Sequence, residues 1–161
     1  MRSYSKSVAR AGVIAAMYAA LTLLARPISF GYGGMFQMRI AEALTILPVL
    51  TPAAVPGLAV GCFAANLLGG GTALDILAGP AATLLAAVLT RRLRQKPFAA
   101  SLMPTICNSL IVSLVLCAAS KGLPYPFAVL SIAPGEFLTA TGLGLGLLRF
   151  AKRIPVWEDR P

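Results

Sequence analysis

An arginine and a glutamate three residues apart, Arg39 and Glu42, interrupt an otherwise apolar stretch, FQMRIAEALTILPVL at 36–50. Ionisable side chains inside a bilayer are costly and usually face a protein interior or a polar cavity. Together with Gln37 they therefore mark a candidate binding site for a small polar solute. A structural reading stands beside this one: at i,i+3 spacing the two charges can meet on a helix and neutralise each other while knitting helices together. Asn66, Asn108 and Glu136 are the other hydrogen-bonding residues in apolar surroundings that can join such a site. The chain has no histidine, which excludes a His-based metal centre and a Ser-His-Asp hydrolase. Cys62, Cys107 and Cys117 all lie in apolar runs without a second ligand at metal spacing, so their expected role is core filling, and no metal or cofactor is expected.

These groups need elements to hold them, and the composition says what kind. Of 161 residues, 58% are hydrophobic and only 12% charged, against roughly 25% charged in soluble domains; the mean hydropathy is +0.82. The expected class is an all-α integral membrane protein with a single domain spanning 1–161. Measured against the roughly 20 residues of a spanning helix, apolar segments fall near 8–25, 35–50, 53–69, 73–90, 98–120 and 127–149. Pro48, Pro52 and Pro56 disfavour straight helices in the second and third, which read as two tilted crossings or one re-entrant hairpin. Charge chooses between them. Eleven of the fourteen basic residues lie in three clusters, Arg2, Lys6 and Arg10; Arg91, Arg92, Arg94 and Lys96; Arg149, Lys152, Arg153 and Arg160. Placing all three in the cytoplasm by the positive-inside rule requires four crossings and then two. The expected fold is a six-transmembrane-helix bundle with both termini cytoplasmic. The net charge of +9 then reflects orientation and anionic headgroups, not nucleic acid.

On this topology Gln37, Arg39 and Glu42 open the second helix, Asn66 closes the third, Asp75 opens the fourth and Glu136 opens the sixth. A pocket opening outward is the consequence. Asp75, three residues after Thr72, has the spacing of a capping box, so its expected role is structural. Glu136, two residues after Pro134, reads as a first-turn carboxylate that favours the helix dipole; as an anion without a basic neighbour in sequence, it equally suits a cationic or donor-rich ligand. Asn66 can cap the third helix, and Asn108 stands mid-span, where an amide usually bonds a neighbouring helix. The link 27–34, with glycines and the rings of Phe30 and Tyr32, suits a lid over a flat solute or serves as a plain loop. Ala11, Ala15 and Ala19 recur every four residues on the first helix, a pattern that lets another membrane helix approach, either within the bundle or from a partner subunit. Gly57, Gly61 and Ala65 read as bundle contacts. The loop Gly69-Gly70-Gly71-Thr72 is not followed by Lys-Ser or Lys-Thr, so the chain carries no Walker A phosphate cradle and no ATP-driven motor of its own.

Three runs in order, QMRIAEALTILP at 37–48, PGLAVGCFAAN at 56–66 and DILAGPAAT at 75–83, closely resemble the QueT-type queuosine-precursor transporters, substrate-binding S components of energy-coupling factor (ECF) transporters. After about Leu102 the likeness is mainly one of hydropathy. Ala41 departs from the serine common before the second-helix glutamate in that family. The resemblance implies a six-helix S component in the cell membrane, which is not an enzyme and which captures a 7-deazaguanine such as preQ1 or preQ0 from outside. It implies a coupling subunit that meets Ala11, Ala15 and Ala19, and two cytoplasmic ATPase subunits. Under it Glu42 and Glu136 serve the guanine-like edge and an aminomethyl cation, Gln37 and Asn66 read the carbonyl and ring nitrogens, and Arg39 holds Glu42 ionised. The alternative is the same architecture serving thiamine, riboflavin or biotin. A membrane enzyme using Glu42 or Asp75 lacks a nucleophile–base pair, and a ligand-free structural partner is the remaining reading.

Overall fold

The computed structural model describes residues 2–29, 38–120, 122–154 and 157. Gln37 and the greater part of the 27–34 link lie outside them. Among the described residues the chain is helical throughout: α1 (Arg2–Leu24), a single turn α2 (Arg26–Ser29), a 3-10 helix (Ile40–Val49), α3 (Ala54–Gly69), α4 (Ala73–Arg92), α5 (Pro97–Ala119), α6 (Tyr125–Glu136), a π-helical segment (Phe137–Leu143) and α7 (Gly144–Ala151). The last three run on as one 27-residue helix, Tyr125–Ala151. Four helices are long and apolar enough to cross a membrane, Tyr4–Leu24, Ala73–Arg92, Pro97–Ala119 and Tyr125–Ala151; Ile40–Val49 and Ala54–Gly69 are shorter apolar helices.

The proline-rich second segment is a 3-10 helix, not a tilted α-helix, and its place in the bundle explains how it can be. Its ten residues rise about 2.0 Å each, so they reach roughly 20 Å where an α-helix would reach roughly 15 Å. With three residues per turn its side chains form three rows, and Ala41, Leu44 and Leu47 on one row and Glu42, Thr45 and Pro48 on the next are all buried. A helix apolar nearly all round belongs in an interior. It touches α1, α3, α4, α5, the π segment and α7, so it forms the axle of the molecule. Backbone away from α geometry is tolerated at membrane depth only when enclosed by protein, and these neighbours supply the enclosure. Arg91, at the end of α4, donates from Nη1 to the Pro48 and Val49 carbonyls at 3.0 and 3.2 Å, satisfying two acceptors that the end of the 3-10 helix leaves open.

Contacts between the remaining helices follow from small residues. A Cβ placed on Gly57 would lie 2.7 Å from the Ala11 carbonyl oxygen, and one on Gly61 would lie 2.8 Å from that of Ala15. The α3 backbone is therefore seated directly on α1. Ala11, Ala15 and Ala19 are half-buried along that seam, whereas Val8, Gly12, Val13, Ala16, Met17 and Ala20 are exposed on the outward side of α1. At the other end of α3, Gly70 takes a left-handed φ of 78° and donates to the Asn66 carbonyl, the glycine-terminated helix end expected from its freedom at positive φ. Thr72 then caps α4 in a complete capping box with Asp75. Asp75 has the structural role its spacing indicates.

Candidate functional site

The cluster is built around the first turn of the 3-10 helix. Arg39 occupies the extended residue before it and is 6% exposed; its Nε donates to the Ser29 carbonyl at 3.4 Å, tying the helix start to α2. Glu42, fully buried, accepts a hydrogen bond from the Tyr18 hydroxyl of α1 through Oε1. Thr45 donates back to the Glu42 carbonyl at 2.5 Å, so the carboxylate stands on a turn stiffened from below. Tyr18 is itself fully buried.

The opposite wall comes from α5 and α6. Asn108, mid-way along α5, donates from Nδ2 to Glu136 Oε2 at 3.2 Å. Glu136 is 3% exposed and does not open a helix. The sixth hydrophobic helix begins at Tyr125 and runs through Pro134, which places the carboxylate roughly 16 Å along the axis at 1.5 Å per residue. The first-turn, dipole-stabilised reading of Glu136 is thereby corrected: a proline inside a helix is tolerated where it is packed among neighbouring helices, and α6 runs on through Pro134; just beyond it Thr139 donates to the Gly135 carbonyl at 2.9 Å and to that of Glu136 at 3.3 Å, holding the turn that carries the carboxylate. The π geometry starts at the next residue, Phe137, and such wide turns are frequent at functional sites.

Arg39, Glu42 and Glu136 are close enough for each to feel the others' charge. Two carboxylates then face one guanidinium in a water-poor interior, one positive charge short when both acids are ionised. Glu42 Oε2 and Asn108 Oδ1 are buried with no hydrogen-bond partner among the described residues. Buried acceptors left unmet cost roughly 1–3 kcal/mol each, so the cluster is poised to accept hydrogen bonds from a donor-rich or cationic guest.

Of the residues singled out in the sequence, the fold thus joins Arg39, Glu42, Asn108 and Glu136. Asn66 lies one turn beyond the buried Cys62, and its amide straps α3 to α4, donating to the Asp75 carbonyl at 2.8 Å. Gly79 makes room for that strap, since a Cβ there would lie 2.5 Å from Asn66 Nδ2. Asn66 Oδ1 is a further buried acceptor without a partner among the described residues. Tyr18 was not anticipated. Its signal was a phenol one turn from Ala15 in the middle of an apolar span, where a hydroxyl needs a partner.

The family model for the QueT transporter matches residues 8–153. The chain belongs to the QueT transporter family. The matched region takes in the whole cluster, from Tyr18 to Glu136, including the last third of the chain, where the sequence resemblance was thinnest. No curated protein and no solved structure matches the chain. QueT is a family of transporters and not of enzymes, so this QueT protein is a membrane transport protein.

Proposed function

We propose that the chain is the substrate-binding S component of an ECF-type importer and that it captures a queuosine precursor, a 7-deazaguanine such as preQ1 or preQ0, from outside the cell membrane. In this account it is a multi-pass protein with six crossings and both termini in the cytoplasm. The observation that carries the ligand reading is the pair of buried carboxylates, Glu42 and Glu136, the second held by Asn108, with acceptor atoms of Glu42 and Asn108 to spare. A guanine-like edge presents adjacent N–H donors that one carboxylate accepts in pairs, and the ammonium of preQ1 meets the charge that the second leaves uncompensated. Tyr18 fixes the orientation of Glu42, and Arg39 keeps the cluster from carrying two unopposed negative charges. Asn66 Oδ1 and Gln37 are further candidates to read the base.

Every member of the cluster described above is buried, so capture requires the helices to part and re-close over the ligand. Uptake against a gradient needs an energy source, in this account ATP hydrolysis by two cytoplasmic ATPase subunits acting through a coupling subunit. That subunit is proposed to meet α1 along Ala11, Ala15 and Ala19, whose α3-facing edge is already taken by Gly57 and Gly61, leaving the outward edge for the partner. The ligand assignment is tested with Glu42→Gln and Glu136→Gln in calorimetric titrations with preQ1. Each is expected to weaken binding by 10-fold or more, the scale of one charge-assisted hydrogen bond at roughly 1.5–3 kcal/mol. Unchanged affinity in both, with folding intact, removes the carboxylates from the site.

A further inference from the structure

Two basic clusters that are far apart in the sequence meet at one groove. Pro97 and Phe98 at the start of α5, Leu145, Leu148 and Arg149 along α7 and Lys152 just past its end line a cavity of about 370 Å³. Arg149 and Lys152 are exposed and three residues apart, one helical turn on a shared face. Lys96, also exposed, immediately precedes Pro97, the first residue of α5, so the positive end of that helix dipole lies at the same place. The floor is apolar: Leu148 is 4% exposed, while Phe98 stands 61% exposed at the rim. Among the described residues the acids are elsewhere, Asp75 capping the start of α4 and Glu42 and Glu136 inside the polar cluster. The cations thus face the groove with no acid of the described chain to answer them.

The groove lies between two of the helices long and apolar enough to cross a membrane, so its walls continue into the lipid phase. We infer that it binds one anionic phospholipid, with the phosphate between Arg149 and Lys152 and an acyl chain along Phe98, Leu145 and Leu148. A zwitterionic choline headgroup brings a cation that Arg149 and Lys152 repel, so the site discriminates by headgroup. This inference stands apart from the ligand reading, since none of its residues belongs to the polar cluster.

The test is native mass spectrometry of the detergent-solubilised protein titrated with phosphatidylglycerol and with phosphatidylcholine of the same acyl chains. The wild type is expected to retain one phosphatidylglycerol in preference to phosphatidylcholine. An Arg149→Gln, Lys152→Gln double variant is expected to lose roughly 30-fold in that preference, the factor that two basic side chains supply at a membrane surface. A Lys6→Gln, Arg10→Gln variant, which removes the same charge from the first cluster, is expected to keep it. Equal loss in both variants, or no loss in the first, overturns the site in favour of diffuse attraction. Displacement of the bound lipid by millimolar inorganic phosphate also overturns it.

Discussion

Replacing Gly61 with alanine probes the seam that places Tyr18 over Glu42. The added methyl would sit 2.8 Å from both the Ala15 carbonyl oxygen and Tyr18 Cβ, and 3.0 Å from Ala15 Cα, where ordinary contact begins at 3.4 Å. Two of these three neighbours are α1 backbone, which cannot rotate away, so α1 and α3 must part by about half an ångström. Overfilling of this kind typically costs about 1–3 kcal/mol, partly hidden by a helix-propensity gain of up to roughly 1 kcal/mol from Gly to Ala. Gly146→Ala on α7 isolates the clash, because it brings the same propensity gain with nothing within 4 Å of the new methyl. Thermal unfolding in detergent should therefore rank Gly146→Ala at or above wild type and Gly61→Ala below Gly146→Ala by about 1–3 kcal/mol. Ligand affinity should fall in Gly61→Ala alone, since the displaced Tyr18 loosens its hold on Glu42. Equal stability and affinity in the two variants would refute the close seating of α3 on α1 and return the Ala15 face to a partner subunit.

Asn108→Asp places a third carboxyl beside Glu136 and removes the amide donor; calorimetry should find ligand binding weakened by at least 10-fold, and wild-type affinity would show that the Asn108–Glu136 bond does not shape the site. Thr72→Ala, which breaks the α4 cap, should cost about 1 kcal/mol in stability and leave ligand affinity unchanged, since the side chains of Thr72 and Asp75 bond each other's turn at the helix start; a selective loss of affinity would bring Asp75 into the site. Arg91→Met leaves the Pro48 and Val49 carbonyls without the guanidinium and should destabilise the fold by about 1–3 kcal/mol, measured by thermal unfolding, with Arg91→Lys intermediate.

Where the sequence succeeded, it did so through patterns that are local. Segment limits came from apolar runs and charged clusters, and the α4 start came from the Thr72–Asp75 spacing, because a capping box is complete within four residues. Arg39 and Glu42 stood out because ionised groups in an apolar run need a shared interior. What escaped depended on contacts distant along the chain. The 3-10 geometry of Ile40–Val49 rests on enclosure by six neighbouring elements, which no window of residues reveals. Glu136 was read as a helix start because Pro134 ordinarily marks one, yet the helix begins at Tyr125 and runs through Pro134, packed among its neighbours. Tyr18 acquires its role only from Glu42, 24 residues away, and the bond from the Asn66 amide to α4 depends on the room that Gly79 leaves beside it.

The central claim, that the buried carboxylate pair receives a 7-deazaguanine, is tested most directly by calorimetric titration of the purified protein with preQ1, preQ0, queuine and guanine, beside thiamine, riboflavin and biotin. The account predicts tight binding confined to the deazaguanines, with preQ1 favoured by its ammonium group. Binding of a vitamin instead, or of no ligand in the panel by well-folded protein, would contradict it.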